Sequence, residues 1–369
     1  MSDGSRSLSV VLAGGGSAGH VSPLLALADA LVRRDPATRI TALGTAHGLE
    51  ARLVPQRGYR LVTIPKVPLP RRPGLNLMRV PGLLKGAVDA AADVIAEVGA
   101  DVVVGMGGYV SPPAYLAARR LRVPLVVHEQ NTRPGLANRL GARLTSHVAV
   151  TFASTRLPNA VRVGMPLRRE ISSLDRSGQR LAARSHFSLG ADALTLLVTG
   201  GSLGAQKLNE TMLACAAELG AAGVAVLHLT GAGKAGAPPL APGPPYVLRE
   251  YTDRMDLAYA AADLVLCRAG ASTVCELTTV GLPAVYVPLP VGNGEQRLNA
   301  QPVVEAGGGL LVENADLTPA WFRANVLPLL QDGARLAEMG RAAAGTAVLD
   351  ADERLADMVV AAAAGRSRA

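Results

Sequence analysis

The sequence predicts an α/β protein built as two doubly wound units, each around a parallel sheet, and three observations carry that expectation. Short apolar runs alternate with helical stretches along the chain, the pattern of strands joined by crossover helices. A strand, a glycine loop and a helix follow one another in "LAGGGSAGHVSPLLALADAL" and again in "TGGSLGAQKLNE". The length of 369 residues exceeds one ordinary core, at a prior of roughly 150 residues per domain.

Residues 8–13 read as a buried strand. In the helix that follows, Ser22 is the expected cap, Pro23 suits the first turn, and Leu24, Leu27, Ala28, Leu31 and Val32 share one face. Further strands are expected at 40–43, 102–105, 125–128 and 147–150. The pattern restarts near residue 194, with strands at 194–199, 224–229, 264–267 and 284–288. The stretch 156–170 is the expected connection between the units, and the Pro-rich segments 65–74 and 236–246 read as surface loops. The expected division is 1–165 for the N-terminal unit, 166–345 for the C-terminal unit, and 346–369 for a last helix and polar tail returning to the N-terminal unit. Ligands of such sheets bind at the carboxyl ends of the strands, so two facing units would share one cleft.

Composition narrows the function. Aromatic residues are 3% of the chain, which argues against a stacking platform for single-stranded nucleic acid. The net charge of +8 suits an anionic partner such as a phosphate ligand or an acidic membrane surface. Cys215, Cys267 and Cys275 form no C-x-x-C, and the histidines form no H-x-H or H-E-x-x-H, so neither a disulfide framework nor a metal site is indicated. The first residues hold too few apolar side chains for a signal peptide, and no apolar run approaches the roughly 20 residues of a spanning helix. A cytoplasmic protein is expected, one that could still lie on a membrane.

Gly14, Gly16 and Gly19 match the spacing G-x-G-x-x-G, but the nicotinamide dinucleotide reading fails on its partner. That site needs an acidic residue at the end of the second strand to hold the ribose, and no Asp or Glu occurs between Pro36 and Gly48. The phosphate-cradling logic survives beside the plainer reading of a tight turn. His20 stands at the helix entrance, where a neutral imidazole is favoured; that state suits a general base near pH 7. In "DLVLCRAGASTVCELTTVGLPAVYVPLP" a helix is expected to start near Ser272 and Thr273 and stop at Gly281. Its first amides would receive a pyrophosphate. Glu276 reads either as half of a capping box with Thr273 or as a carboxylate for a ribose diol. Arg168 could bind diphosphate, or form a solvated charge pair with Arg169.

The motifs "GGGSAGHVSPLLALA", "GMGGYVSPPA", "HEQN" with "PGLANR", "VGMPLR", "VTGGSLGAQKLN", "CRAGASTVCEL" and "EQRLNA" occur in that order. Over roughly residues 8–365 the chain resembles glycosyltransferase family 28, the N-acetylglucosaminyltransferases of peptidoglycan synthesis. The resemblance implies a GT-B fold, two Rossmann-like domains with parallel sheets facing across a cleft. It implies inverting transfer of GlcNAc from UDP-GlcNAc to the C4 hydroxyl of undecaprenyl-pyrophosphoryl-MurNAc-pentapeptide, giving a β1,4-linked disaccharide lipid. No cofactor, metal or nucleic acid is implied. The D-x-D formed by Asp350 and Asp352 reads as a helix start, where acidic residues are favoured.

Carried over motif by motif, the resemblance places Ser17, Ala18 and Gly19 near the donor and the acceptor diphosphate, and Asn131 at the sugar or the acceptor. Arg168 and Ser202 would face the donor diphosphate and Thr252 the uracil. Ala271, Ser272, Thr273, Val274, Cys275 and Glu276 would wrap the nucleotide, with Glu276 on the ribose, and Gln296 would hold the sugar hydroxyls. Two departures stand out: Ser17-Ala18-Gly19 where Thr-Gly-Gly is common, and Glu295-Gln296 where the family has Gln-Gln. His20 is the expected base, with Glu129 as runner-up. A lipid acceptor implies a peripheral position on the cytoplasmic face of the cell membrane. Leu75, Leu77, Met78 and Val80, flanked by Arg71, Arg72, Arg79 and Lys85, form an apolar wedge with basic neighbours suited to an anionic surface. Leu83 and Leu84 read equally well as core. Other cell-wall or division proteins are conceivable partners.

Overall fold

The computed structural model describes residues 7–67, 80–234, 236–237, 239 and 243–366. The chain divides into two compact units, Met1–Arg168 with Asp350–Ala369, and Arg169–Leu349. The divisions fall a few residues beyond the expected ones.

The first unit runs β1 (Ser9–Gly14), α1 (Ala18–Arg34), β2 (Arg39–Gly44), α2 (Glu50–Gln56), β3 (Arg60–Thr63), α3 (Val80–Glu97), β4 (Val102–Gly107), α4 (Ser111–Arg120), β5 (Leu125–Glu129), α5 (Leu136–Gly141), β6 (His147–Val150) and β7 (Ala160–Arg162). The sheet order is β3-β2-β1-β4-β5-β6-β7, and all pairings are parallel. The order reverses between β1 and β4, which makes the crevice at their carboxyl ends the expected ligand position. There the register slips: Ala13 pairs with Gly105 and Gly14 with Gly107.

The second unit runs α6 (Arg169–Ser172), α7 (Arg176–His186), β8 (Leu194–Thr199), α8 (Gln206–Ala214), α9 (Ala216–Ala221), β9 (Val224–Leu229), β10 (Tyr246–Arg249), α10 (Met255–Ala261), β11 (Leu264–Cys267), α11 (Ala271–Thr279), β12 (Ala284–Tyr286), α12 (Glu295–Glu305), β13 (Gly309–Leu311), α13 (Pro319–Asn325), α14 (Leu327–Gln331) and α15 (Gly333–Ala344). Its parallel sheet has the order β10-β9-β8-β11-β12-β13, reversing between β8 and β11.

The last helix, α16 (Ala351–Arg366), belongs to the first unit. Leu355, Ala356 and Val359 join the core formed by Leu24, Leu27 and Leu31 of α1 with β1 and β4. Arg33 reaches Asp352 at 2.6 Å and Arg34 reaches Glu353 at 2.6 Å. The acidic first turn of α16 thus meets the basic last turn of α1, each charge at the helix end that favours it. Asp350 pairs with Arg354 at 2.8 Å. Among the described residues, no cluster of His, Cys, Asp and Glu could hold a metal ion, and no helix is long and apolar enough to cross a membrane.

Three local expectations change. Helix α1 begins at Ala18, with Ser17 as its cap residue, so Ser22 is not the cap and Pro23 lies inside the helix. The left-handed Gly16, at φ +89°, ends the strand sharply enough to start the helix at once. Helix α11 begins at Ala271 with Gly270 at its cap, and the Thr273–Glu276 capping box does not form. The stretch expected only to connect the units contributes β7.

Candidate active site

In the first unit the glycine loop is held from below. Glu50, fully buried at the start of α2, accepts hydrogen bonds from Gly16 N at 2.8 Å, Thr45 N at 2.9 Å and Thr45 Oγ1 at 2.8 Å. Burial pushes its pKa up, but these donors outweigh that and hold the carboxyl below its ordinary value. A Cβ on Gly15 or Gly48 would strike this carboxylate. On the other side, a Cβ on Gly108 (φ +83°) would lie 2.6 Å from the Gly15 carbonyl. The loops after β1 and β4 therefore pack backbone to backbone across the topological switch.

These loops wall a pocket of about 780 Å³, lined by Gly15–Ser17, His20, 45–48, 63–66 and 108–110. Lys66 lies 4.7 Å over the Tyr109 ring, a cation over an aromatic face. Ser17 is exposed and makes no side-chain cap bond, and the first amides of α1 open beside it, the arrangement that receives an anion. A larger cavity of about 1050 Å³, lined by Leu8, Leu31, Asp35 and Asp101 among others, lies at the amino ends of β1 and β4. That is the end of the sheet at which such folds do not bind their ligands.

His20 is half-buried. Its ring packs on Gly107 and Gly108, where an added Cβ would come within 3.1 Å and 3.4 Å of it. Its Nδ1 lies 3.1 Å from Gln130 Oε1. Glu129, by contrast, is buried and fully employed. It accepts from Asn131 N at 2.9 Å, Gly135 N at 3.0 Å and Asn138 Nδ2 at 2.9 Å. These bonds fold the loop after β5 around it, so its oxygens are turned away from the role of base. Asn131, half-buried in that loop, receives Thr155 Oγ1 on its carbonyl at 3.1 Å.

In the second unit the glycine loop after β8 packs on the loop after β9: a Cβ on Gly204 would strike the Thr230 carbonyl. Ser202 stands exposed on this loop. The β8/β11 switch is left to α11, whose open first turn follows Arg268. Arg268 Nη1 donates to the carbonyls of Val287 and Pro288, each at 3.1 Å, while its buried Nε has no partner among the described residues. Burial lowers its pKa. Within α11 the expected contact residues part company. Ser272, Thr273, Cys275 and Glu276 are half-buried, whereas Ala271 and Val274 turn into the core. The Val274 N–H is spent on the Gly270 carbonyl at 2.9 Å, so the free amides of this turn are those before it. Glu276 Oε2 accepts the buried Tyr259 hydroxyl at 2.7 Å.

Thr252 is half-buried between β10 and α10, its Oγ1 accepting Arg254 N at 3.1 Å. Gln296 Oε1 accepts Leu289 N at 3.0 Å, fixing the loop before α12 and leaving the side-chain amine as the group to offer a ligand. Glu295 turns back onto Asn293 N at 3.3 Å. Arg168, half-buried, is the last residue of the first unit. Of the membrane wedge, Arg71, Arg72, Leu75, Leu77, Met78 and Arg79 lie outside the described residues; Val80 opens α3 and Lys85 pairs with Asp89 at 2.9 Å. Leu83 is 43% exposed, not core.

Sequence reasoning passed over Glu50, His128, Gln130 and Arg268. The available signal was a polar run closing a buried strand, "VVHEQN", because buried polar groups are held in place by specific partners.

The glycosyltransferase family 28 N-terminal domain matches residues 10–150, and the family 28 C-terminal domain matches residues 195–355. A Streptomyces coelicolor protein described as UDP-N-acetylglucosamine--N-acetylmuramyl-(pentapeptide) pyrophosphoryl-undecaprenol N-acetylglucosamine transferase is 58% identical over 97% of this chain and 99% of its own. A Mycolicibacterium smegmatis protein of the same description is 55% identical over 96% of this chain and 94% of its own. The crystal structure of Acinetobacter baumannii MurG is similar at a TM-score of 0.76 and 28% identity, over 96% of this chain and 99% of that one.

Proposed function

The chain belongs to glycosyltransferase family 28, and from that premise we propose that it transfers GlcNAc from UDP-GlcNAc to the MurNAc C4 hydroxyl of undecaprenyl-pyrophosphoryl-MurNAc-pentapeptide, with inversion. The observation that carries the reading is the position of His20: an imidazole lines the same pocket as an open helix start and a glycine loop. This supports reading His20 as a base beside a seat for a diphosphate.

The work divides between the units. In the first, the amides at Ser17, Ala18 and Gly19 receive the acceptor diphosphate, and Asn131 meets the sugar. His20 Nε2 takes the proton from the acceptor hydroxyl as its oxygen attacks the anomeric carbon. In the second, the free amides of α11, joined by Arg168 from the end of the first unit, meet the negative charge that grows on the β-phosphate as the bond to UDP breaks. Ser202 supports that diphosphate and Thr252 the uracil. Glu276 accepts from the ribose hydroxyls, and Gln296 donates its amine to the GlcNAc hydroxyls. The Tyr259 hydroxyl occupies one Glu276 oxygen, which fixes the carboxylate plane for a diol.

Incubation with labelled UDP-GlcNAc and a muramyl-pentapeptide lipid tests the reading. The expected product is a β-linked disaccharide lipid; release of UDP with no such lipid would sink it. The lipid acceptor also calls for contact with the bilayer at the cytoplasmic face, through the wedge 75–80 and its basic neighbours. Replacing Leu75, Leu77 and Met78 by Ser should weaken binding to anionic liposomes, and unchanged binding would remove the wedge from that role.

A further inference from the structure

Two carbonyl oxygens determine the protonation pattern of a chain that ends at His20. Gln130 is 1% exposed and His128 is wholly buried. Gln130 Nε2 lies 3.0 Å from the His128 carbonyl oxygen, which can only accept. The nitrogen end of the amide is therefore fixed on that side. Its second hydrogen has His128 Nδ1, 3.1 Å away, and the Met106 sulfur, 3.8 Å away, as acceptors. His128 Nε2 lies 2.9 Å from the Gly164 carbonyl, again an acceptor only, so His128 carries its proton on Nε2 and presents a bare Nδ1 to the amide. Both constraints agree. The amide oxygen then faces His20 Nδ1 at 3.1 Å and can only accept from it. His20 consequently holds its proton on Nδ1 and has its lone pair on Nε2.

The geometry points to Gln130 and His128 as positioning residues that fix the tautomer of His20, so that the nitrogen left bare is the one available to an acceptor hydroxyl. This rests on the reading of His20 as the base. Burial pushes His128 down to about 4, so it stays neutral at pH 7 and the relay keeps one direction. Were His128 protonated, its Nδ1–H would oppose the amide hydrogen. Met106, buried on β4, closes the far side of the amide with its sulfur 3.8 Å from Nε2. Gly107 leaves room for the imidazole, because a Cβ there would lie 3.3 Å from Nδ1.

Long-range proton–nitrogen correlation spectra of the 15N-labelled enzyme read the tautomers directly, with single histidine replacements assigning the signals. The wild type should show a protonated Nδ1 with a pyridine-like Nε2 for His20, and the opposite pattern for His128. A protonated Nε2 on His20 would overturn the relay whatever the activity. In Gln130→Met the fixed pattern at His20 should be lost. The kcat should fall on the order of tenfold to a hundredfold, the scale on which outer partners of a functional imidazole act, with KM for UDP-GlcNAc unchanged. Gln130→Glu, whose buried carboxyl must stay protonated to donate toward the His128 carbonyl, keeps an acceptor at Nδ1, should retain the His20 tautomer and answers the question if the Met variant does not fold. Full activity in His20→Ala with the spectra as expected would instead overturn the catalytic half and leave only a structural network.

Discussion

The two units open with the same device, a strand, a glycine loop and a helix, and use it to opposite ends. In the first unit the loop after β1 leans on the loop after β4, and the switch-point crevice is edged by Gly108 and His20. In the second the loop after β8 leans on the loop after β9, which leaves the switch point to the open start of α11. Each unit also pairs a histidine with a side-chain amide. His228 is closed at both ends, Nε2 to Asn209 Oδ1 at 3.0 Å and Nδ1 to the Tyr246 hydroxyl at 2.9 Å. The network of the first unit ends on a half-buried imidazole in a pocket. The same bonding chemistry closes on itself in the second unit and stops one bond short of closure in the first.

The largest effect should come from breaking that asymmetry at its open end. His20→Ala is expected to lower kcat roughly 100-fold or more, with a nearly unchanged thermal midpoint, measured by disaccharide-lipid formation. His228→Leu should do the reverse. It strands the Asn209 carbonyl and the Tyr246 hydroxyl, at a cost of about 1–3 kcal/mol by denaturant unfolding, while kcat holds. A fall in kcat without loss of stability would erase the distinction drawn here.

The pH dependence of stability sharpens it further. Burial lowers both His128 and His228 to about 4, below the ordinary value of about 6.5. Each stays neutral when folded and takes up a proton on unfolding, so its contribution is complete above about pH 6.5 and is lost as pH falls toward 4. Each should steepen the decline by about 1.4 kcal/mol per pH unit in that window. Urea titrations of wild type and His228→Leu between pH 7 and 4.5 should differ in slope by one proton.

In the second unit, Glu276→Gln keeps a partner for the Tyr259 hydroxyl but loses the charge that the proposed function gives to the ribose. KM for UDP-GlcNAc should rise about tenfold, worth about 1.4 kcal/mol, with kcat little changed; an unaltered KM would take Glu276 off the ribose. The smallest effect belongs to the exposed pair Lys85–Asp89. Lys85→Ala should leave the denaturant midpoint unchanged within measurement.

How much of this was legible depended on burial. The strands anticipated from apolar runs are the interior ones of both sheets, and β6, β8, β9 and β11 match to the residue. The ones missed, β3, β7, β10 and β13, are the four sheet edges. They carry half-exposed or exposed residues, as in Ala160–Arg162, exposed at each position, and an edge needs no continuous apolar run. The helix starts were misplaced because Ser22 and Thr273 resemble caps locally, whereas Gly16 and Gly270 set the geometry of the turn. At the site, glycine spacing and His20 were readable because they are local. The duties of Gln130 and Glu129 were not, because they depend on groups brought in from β4, α1, α5 and the segment after β7.

The return of α16 to the first unit has a consequence for the order of synthesis. The chain leaves that unit after Arg168 and re-enters it at Asp350, so the part made first is the part finished last. Domains tend to fold as they emerge during translation, yet here Leu24, Leu27 and Leu31 must wait for Leu355, Ala356 and Val359. While the second unit is being made, the nascent first unit carries an uncovered apolar face and the unpaired cations of Arg33 and Arg34. A chain broken off before residue 350 would keep every glycine loop and every site residue, and would still leave the ribosome with its first core open.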